Sequence, residues 1–261
     1  MFAAERIKKI KQILLEYKKA DVSNLSNLLS VSEVTIRKDL ERLENEGFLQ
    51  RTHGGAILCD ANASVNIYEE KTDIPEIEHK KMIGLIASQI VNNNEAIFIG
   101  PGTTCLQVAR NLKDKRNLNV ITNNISAAIE LSNIPGIKVT LTGGDIKQQE
   151  YTYSLTGPAV IQALASIYVD KAFIGVNGIS LKRGYTIHDS DDSMIASEIH
   201  KYANEFIVIA DSTKFNKISF SQLGDLHMAK KVISDELAPE EYVKYFFENN
   251  IQIFTTYKLE I

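Results

Sequence analysis

Cysteine is nearly absent: Cys59 and Cys105 are the only two in 261 residues. So few, so far apart, exclude a disulfide framework and any Cys-x-x-Cys metal or redox motif, and they fit reduced thiols in a cytoplasm. Long apolar runs are lacking too. No window approaches the roughly eighteen apolar residues that a membrane-spanning helix needs. The start, "MFAAERIKKIKQ", has lysines where a signal peptide carries its apolar stretch. These absences lead to the expectation of a cytoplasmic protein with no membrane partner. Nor does one sign of charge dominate: 29 Lys and Arg against 33 Asp and Glu give a net charge of −4, which alone implies no charged partner. Internal repeats and low-complexity tracts are missing as well.

What is present is ordinary for a soluble chain, 44% apolar and 24% charged, with length enough for two domains. The charge is unevenly spread. The first 58 residues hold 10 Lys and Arg against 8 Asp and Glu, leaving 19 against 25 for the remainder. A mildly basic segment on an acidic body is a first, weak pointer to nucleic acid.

Residues 5–18 place Ile7, Ile10, Leu14 and Tyr17 at helical spacing, with lysines opposite. A short second helix, residues 24–29, turns Leu25, Leu28 and Leu29 inward. Ser32 offers an N-cap for a third helix, which Gly47 stops. Two extended runs then flank Gly54-Gly55, a hairpin signal. Three helices and a hairpin predict a winged helix-turn-helix over residues 1–57. Residues 58–76 have little periodicity and read as a linker, with a short strand around 65–68. From 77 to 261, short apolar strands such as "EAIFIG", "LNVITN", "KAFIGV" and "EFIVIAD" alternate with helical segments. That pattern predicts an α/β domain with a mainly parallel sheet covered by helices on both faces.

On the third helix, Ile36, Leu40 and Leu43 fall within about 60° of one another and form the buried stripe. Val34, Lys38 and Glu41 lie opposite, flanked by Thr35, Arg37 and Arg42. Short side chains at the start (Ser32, Thr35) let a helix end approach DNA, and cations beside them reach phosphates or guanine edges. Arg51 and His53, on the hairpin, suit a wing along the backbone or the minor groove. Taken alone the helix also fits an ordinary solvated charged face; the preceding helices and the glycine hairpin are what favour double-stranded DNA as partner.

In the second domain, "EAIFIG" runs through Pro101 into Gly102, Thr103 and Thr104 and then a helix. Backbone N–H groups at such a helix start, with two hydroxyls, suit an anion. It is no P-loop, and Cys105 stands where a dinucleotide fingerprint needs its third glycine. No cofactor, metal or catalytic residue is therefore expected. By itself the segment also fits a plain strand-to-helix turn. Polar strand ends recur at Thr122-Asn123 and Gly143-Gly144, and ligands in open α/β sheets bind where strands end. Asp211 and Lys214 close another strand and fit either a ligand grip or a capped turn.

The run "VSEVTIRKDLERLENEGFLQRTHGGA" resembles the signature of DeoR-type bacterial transcriptional regulators, and "GTT", "VITNN", "LTGG", "AFIGVNGI" and "ADSTKF" follow in that family's order. The resemblance implies a winged helix joined to a sensor domain similar to ribose-5-phosphate isomerases and CoA transferases. It implies a repressor of a sugar or carbohydrate operon, working as a homodimer or higher oligomer and released by a phosphorylated sugar or related metabolite. Asp211 and Lys214 become the leading effector contacts, the aspartate through a sugar hydroxyl. Lys71 matches a position of effector response; Lys80 matches another but, beside Lys81, reads as a surface lysine. Two departures stand out. No aspartate shortly precedes Gly102-Thr103-Thr104, and where the family shows Glu-Glu and a lysine four residues on, this chain has Asp191-Asp192 and Ala196. The alternative is a sugar-phosphate isomerase or deaminase-like enzyme fused to a DNA-binding module, which needs a carboxylate base in its pocket.

Overall fold

The computed structural model describes residues 3–17, 19–45, 48–52, 54–58, 76–149 and 151–255. The chain divides into two compact units, residues 1–67 and 68–261. The expected linker (but for its first and last residues), its strand at 65–68, and Cys59, His53 and Lys71 lie outside the described residues.

The first unit runs α1 (Ala3–Tyr17), β1 (Lys19–Asp21), α2 (Val22–Leu29), α3 (Glu33–Asn45), β2 (Leu49–Arg51) and β3 (Gly55–Leu58). Its core joins Ile10 and Leu14 of α1, Val22, Leu25 and Leu29 of α2, and the anticipated Ile36, Leu40 and Leu43 of α3. Two expectations fail. Leu28 is 69% exposed and Tyr17 64%. The second helix starts at Val22, earlier than read, which swings the buried arc toward Val22, Leu25 and Leu29 and leaves Leu28 outside it. An unanticipated strand, β1, pairs antiparallel with β3, which also pairs with β2. It explains the second glycine of the hairpin: a Cβ on Gly55 would stand 2.2 Å from the Ala20 carbonyl oxygen.

The second unit begins with α4 (Ile77–Gln89), β4 (Ala96–Ile99), α5 (Thr103–Arg110), β5 (Leu118–Thr122), α6 (Ile125–Leu131) and β6 (Ile137–Leu141). A hairpin of β7 (Asp145–Gln148) and β8 (Tyr153–Thr156) precedes α7 (Pro158–Leu164) and β9 (Val169–Gly175). Then come β10 (Gly178–Ser180), β11 (Gly184–Ile187), α8 (Ser190–His200), β12 (Ala203–Ile209), β13 (Ser221–Gly224), β14 (Lys231–Ile233), α9 (Glu240–Glu248) and β15 (Gln252–Phe254). Seven strands form one sheet in the order β15-β14-β12-β9-β4-β5-β6, parallel throughout. Strands β10, β11 and β13 make a small antiparallel sheet of their own.

Both faces of the large sheet are buried, as its near-continuous apolar strands require. On one face Phe98, Ala172, Ile174, Phe206 and Val208 meet α7, α8 and α9. On the other Ile97, Ile99, Phe173, Ile207 and Ile209 meet α4, α5 and α6. The chain starts in the middle of this sheet, builds outward through β5 and β6, then returns to lay β9, β12, β14 and β15 on the other side. The order therefore reverses between β4 and β9. Their carboxyl ends open a crevice there.

Candidate functional site

The outer face of α3 is presented to solvent as its buried stripe demands. Ser32 starts the helix: its hydroxyl accepts from Thr35 N at 3.3 Å, and its carbonyl accepts from Ile36 N at 3.1 Å. Ser32, Val34, Arg37, Lys38 and Arg42 are exposed and Thr35 is half-buried. Arg37 pairs with Glu33 one turn back at 3.2 Å. An exposed pair of this kind is worth only about 0.2–0.5 kcal/mol, so a better acceptor displaces Glu33 at little cost. The helix is fixed from beneath. Asp39 is buried and takes a two-pronged ion pair from Arg6 of α1, one arm through Nε and the other from Nη2 to Oδ1 at 3.0 Å. Arg51, exposed on the hairpin, donates its backbone N–H to Glu44 of α3 at 2.9 Å. That bond ties wing to helix.

In the second unit a cavity of about 510 Å³ occupies the switch point between β4 and β9. Pro101, Gly102, Thr103 and Thr104 line it after β4, with Gly175 at the end of β9 and Asn177 just beyond. Gly102 takes a positive φ of 96° and precedes α5 with no side-chain cap, so first-turn N–H groups of α5 are left for a ligand. Its lining cations are Lys80, Lys147 and Lys214, and its lining carboxylates Asp189 and Asp192. Lys80 Nζ and Lys214 Nζ stand 3.8 and 3.9 Å from the same atom, Asp211 Oδ2. Both distances are too long for hydrogen bonds, and that oxygen has no hydrogen-bond partner among the described residues. Burial pulls the Lys80 ammonium below its ordinary range, with Asp211 opposing that pull and Lys214 adding to it. Among the described residues no group of His, Cys, Asp and Glu could hold a metal. Cys105 is buried, its thiol donating to the Phe173 carbonyl at 3.7 Å, and burial pushes it up to about 12, which makes it unreactive.

Gly102, Thr103, Thr104 and Lys214 thus line one cavity, as the sequence suggested. Other candidates do not line it. Thr122 and Asn123 are fully buried. Thr122 donates its hydroxyl to the Ile99 carbonyl at 2.6 Å, and Asn123 donates to Leu155 O at 3.0 Å. Their neighbour Asn124 donates to the carbonyls of Gly100 and Gly102, each at 3.2 Å. These polar strand ends hold the loop that forms the cavity wall. Gly144 packs against Thr156, and Gly143, with a positive φ, lies over open space; neither lines the cavity. Asp211 is fully buried, and its Oδ1 accepts from Thr213 N at 3.1 Å. It is not among the lining residues, whereas Lys80 and Lys214 are.

Residues 6–62 match the family model of the DeoR-like helix-turn-helix domain, and residues 75–236 that of the DeoR C terminal sensor domain. The chain belongs to the DeoR family. It is a DNA-binding transcriptional regulator. The HTH-type transcriptional repressor GlcR of Bacillus subtilis is 32% identical over 98% of this chain and 97% of its own. A putative aga operon transcriptional repressor of Escherichia coli O157:H7 is 29% identical over 96% and 93%. Among solved structures, ribose 5-phosphate isomerase of Plasmodium falciparum aligns over 53% of each chain with a TM-score of 0.39 and 16% identity. The eIF2B delta subunit of Chaetomium thermophilum aligns over 64% of this chain and 57% of its own, with a TM-score of 0.42 and 14% identity. Among the described residues no helix is long and apolar enough to cross a membrane.

In this DeoR-family chain, three cavity residues escaped the sequence reading. Lys80 is buried, not a surface lysine. The signal was present: it shares a stripe with Ile83, Gly84 and Ala87 on α4, all buried, and a lysine on an apolar stripe goes inward only where a cavity receives its ammonium. Lys147 stands on β7, a strand too short and polar to be read. Asp192, noted only as a departure from the family pattern, is buried on α8 and lines the cavity beside Ala196.

Proposed function

We propose that the chain is a repressor whose hold on its operator is set by a small phosphorylated ligand, a sugar phosphate or related metabolite, bound in the switch-point cavity. The observation that carries this reading is the convergence of Lys80 and Lys214 on one Asp211 oxygen beside the uncapped start of α5. Two ammonium groups to one carboxylate leave surplus positive charge, and the helix start adds N–H donors, which together suit a phosphate. The relatives' names as repressors support the sign of regulation. A thermal-shift screen against phosphorylated sugars and inorganic phosphate tests the ligand class. A ligand at about a hundred times its Kd adds roughly 2.7 kcal/mol to the folded state. Absence of any shift with every phosphorylated compound contradicts the reading.

The DNA contacts follow from α3 and its wing: Ser32, Val34, Thr35, Arg37, Lys38, Arg42 and Arg51. Arg37→Ala is expected to weaken operator binding by about 1–3 kcal/mol and to relax preference at one base position if Arg37 reads a base. If it touches only a phosphate, affinity falls for all sequences alike and the salt slope shrinks by about one unit. Unchanged operator affinity in both Arg37→Ala and Lys38→Ala removes α3 as the reader. Pairing two half-sites requires at least a dimer, so we take the working form to be a homodimer or larger, in the cytoplasm.

The two units are joined, in this reading, through a linker over residues 58–76. Limited proteolysis is expected to cut there and release a fragment of residues 77–261 that keeps ligand binding and loses DNA binding. Recovery of full-length chain or scattered peptides alone argues for one continuous fold. We read the chain as a regulator and not an enzyme. The relatives' names as transcriptional repressors support that reading.

A further inference from the structure

We infer that Asp192 reads the end of the ligand remote from its phosphate, accepting a hydrogen bond from a hydroxyl or ammonium group at Oδ1. The inference rests on the phosphorylated-ligand reading above and deepens it. Asp192 lies in the first turn of α8, lines the cavity, and has a side chain 8% exposed. Its two oxygens are in different situations. Oδ2 accepts from Lys147 Nζ at 2.8 Å and from Gln149 Nε2 at 3.1 Å. Oδ1 is buried with no hydrogen-bond partner among the described residues. A buried carboxylate oxygen without a donor is costly, and the cost is relieved when a ligand supplies one.

Charge balance narrows the ligand class. Lys147 is held between Asp192 and Asp189, 3.0 Å from the latter, so this cluster carries two carboxylates for one ammonium. The cluster of Lys80, Lys214 and Asp211 carries the opposite surplus. The two come from helices on opposite faces of the sheet, α8 and α4. The cavity is thus polarised, cationic at one cluster and anionic at the other. A ligand with a single phosphate and a donor-bearing remainder matches both. A bisphosphate or a carboxylate-terminated phosphate meets Asp192 and Asp189 with a like charge and is rejected. Burial, opposed by the hydrogen bond and charge of Lys147 and aided in smaller measure by the like charges of Asp189 and Asp191, holds the Asp192 carboxyl above its ordinary range, which agrees with an acceptor short of donors.

The test is isothermal titration of the full chain with inorganic phosphate and with terminally phosphorylated polyols, from glycerol phosphate to hexitol phosphate. Each polyol is paired with analogues carrying hydrogen, ammonium or a second phosphate in place of its far-end hydroxyl. In the wild type, the best polyol phosphate or its amino analogue is expected to bind about ten- to a hundredfold tighter than the deoxy analogue, the range for a hydrogen bond to a charged group. The second phosphate is expected to weaken binding. Asp192→Asn should collapse the hydroxyl-to-deoxy ratio while leaving inorganic phosphate affinity as it was. Asp189→Asn, which removes a charge of the same cluster but no unpartnered oxygen, should keep the ratio. A wild-type ratio near one overturns the inference without any variant, as does a ratio that survives Asp192→Asn. If neither inorganic phosphate nor any polyol phosphate binds the wild type, the phosphate cavity itself is wrong and this inference goes with it.

Discussion

Lys214→Ala is expected to bind the operator with wild-type affinity and to remain bound at ligand concentrations that release the wild type. A ligand shifts a two-state equilibrium only through its unequal affinity for the two states. Moving a population from 1:99 to 99:1 takes about 5.5 kcal/mol of that difference. The Lys214 ammonium lines the cavity 3.9 Å from Asp211 and is partly solvent-accessible, so its removal costs little folding stability. A charge-assisted hydrogen bond to a phosphate contributes about 1.5–3 kcal/mol, and its loss raises the ligand concentration for release by roughly 10- to 150-fold. Thr103→Ala acts in the same direction more weakly, because the hydroxyl goes and the helix N–H groups stay. Operator titrations at several ligand concentrations read the effect. Release of Lys214→Ala at wild-type ligand concentrations means the phosphate is held elsewhere.

Asp39→Ala is expected to destabilise the first unit and weaken operator binding while ligand binding by the second unit persists. Asp39 and Arg6 are 6% and 9% exposed. Removing one partner of a buried pair breaks the pair's charge-assisted hydrogen bonds and costs up to about 3–5 kcal/mol. A folded domain has roughly 5–15 kcal/mol in total and a unit this small stands near the low end, so the loss removes a large share of its stability. Replacing both residues with apolar ones, Arg6→Met with Asp39→Leu, should restore most of the stability, since desolvation of the pair offsets much of its attraction. Urea unfolding with operator binding measured in parallel checks both statements. A single Asp39→Ala variant that melts and binds DNA like the wild type contradicts the role assigned to the pair.

Most of the fold was legible because it rests on periodicity. The stripe of Ile36, Leu40 and Leu43 fixed α3, and continuous apolar runs such as residues 206–210 marked strands buried on both faces. What periodicity cannot mark was missed. Strand β1 has three residues and β7 reads as polar, and each forms because a partner strand pairs with it, not because of its own pattern. At the site, sequence located the crevice but misjudged which side chains face it. Thr122 and Asn123 turn inward because the carbonyls of Ile99 and Leu155 need donors there. Asp211 turns inward because two lysines converge on it. Neither demand is visible until the chain is folded. Lys80 was legible in principle, on the apolar stripe of α4, and proximity to Lys81 misled.

In the proposed function, the switch-point cavity and α3 are two ends of one equilibrium. Linkage makes that claim testable in a single experiment: the factor by which a ligand weakens operator binding must equal the factor by which the operator weakens ligand binding. The measurement is the operator Kd of the full-length chain across concentrations of the phosphorylated compound that raises its melting temperature most, together with that compound's Kd with and without saturating operator. Two equal factors well above one are expected in the wild type. A ligand Kd that is the same with and without operator contradicts the claim.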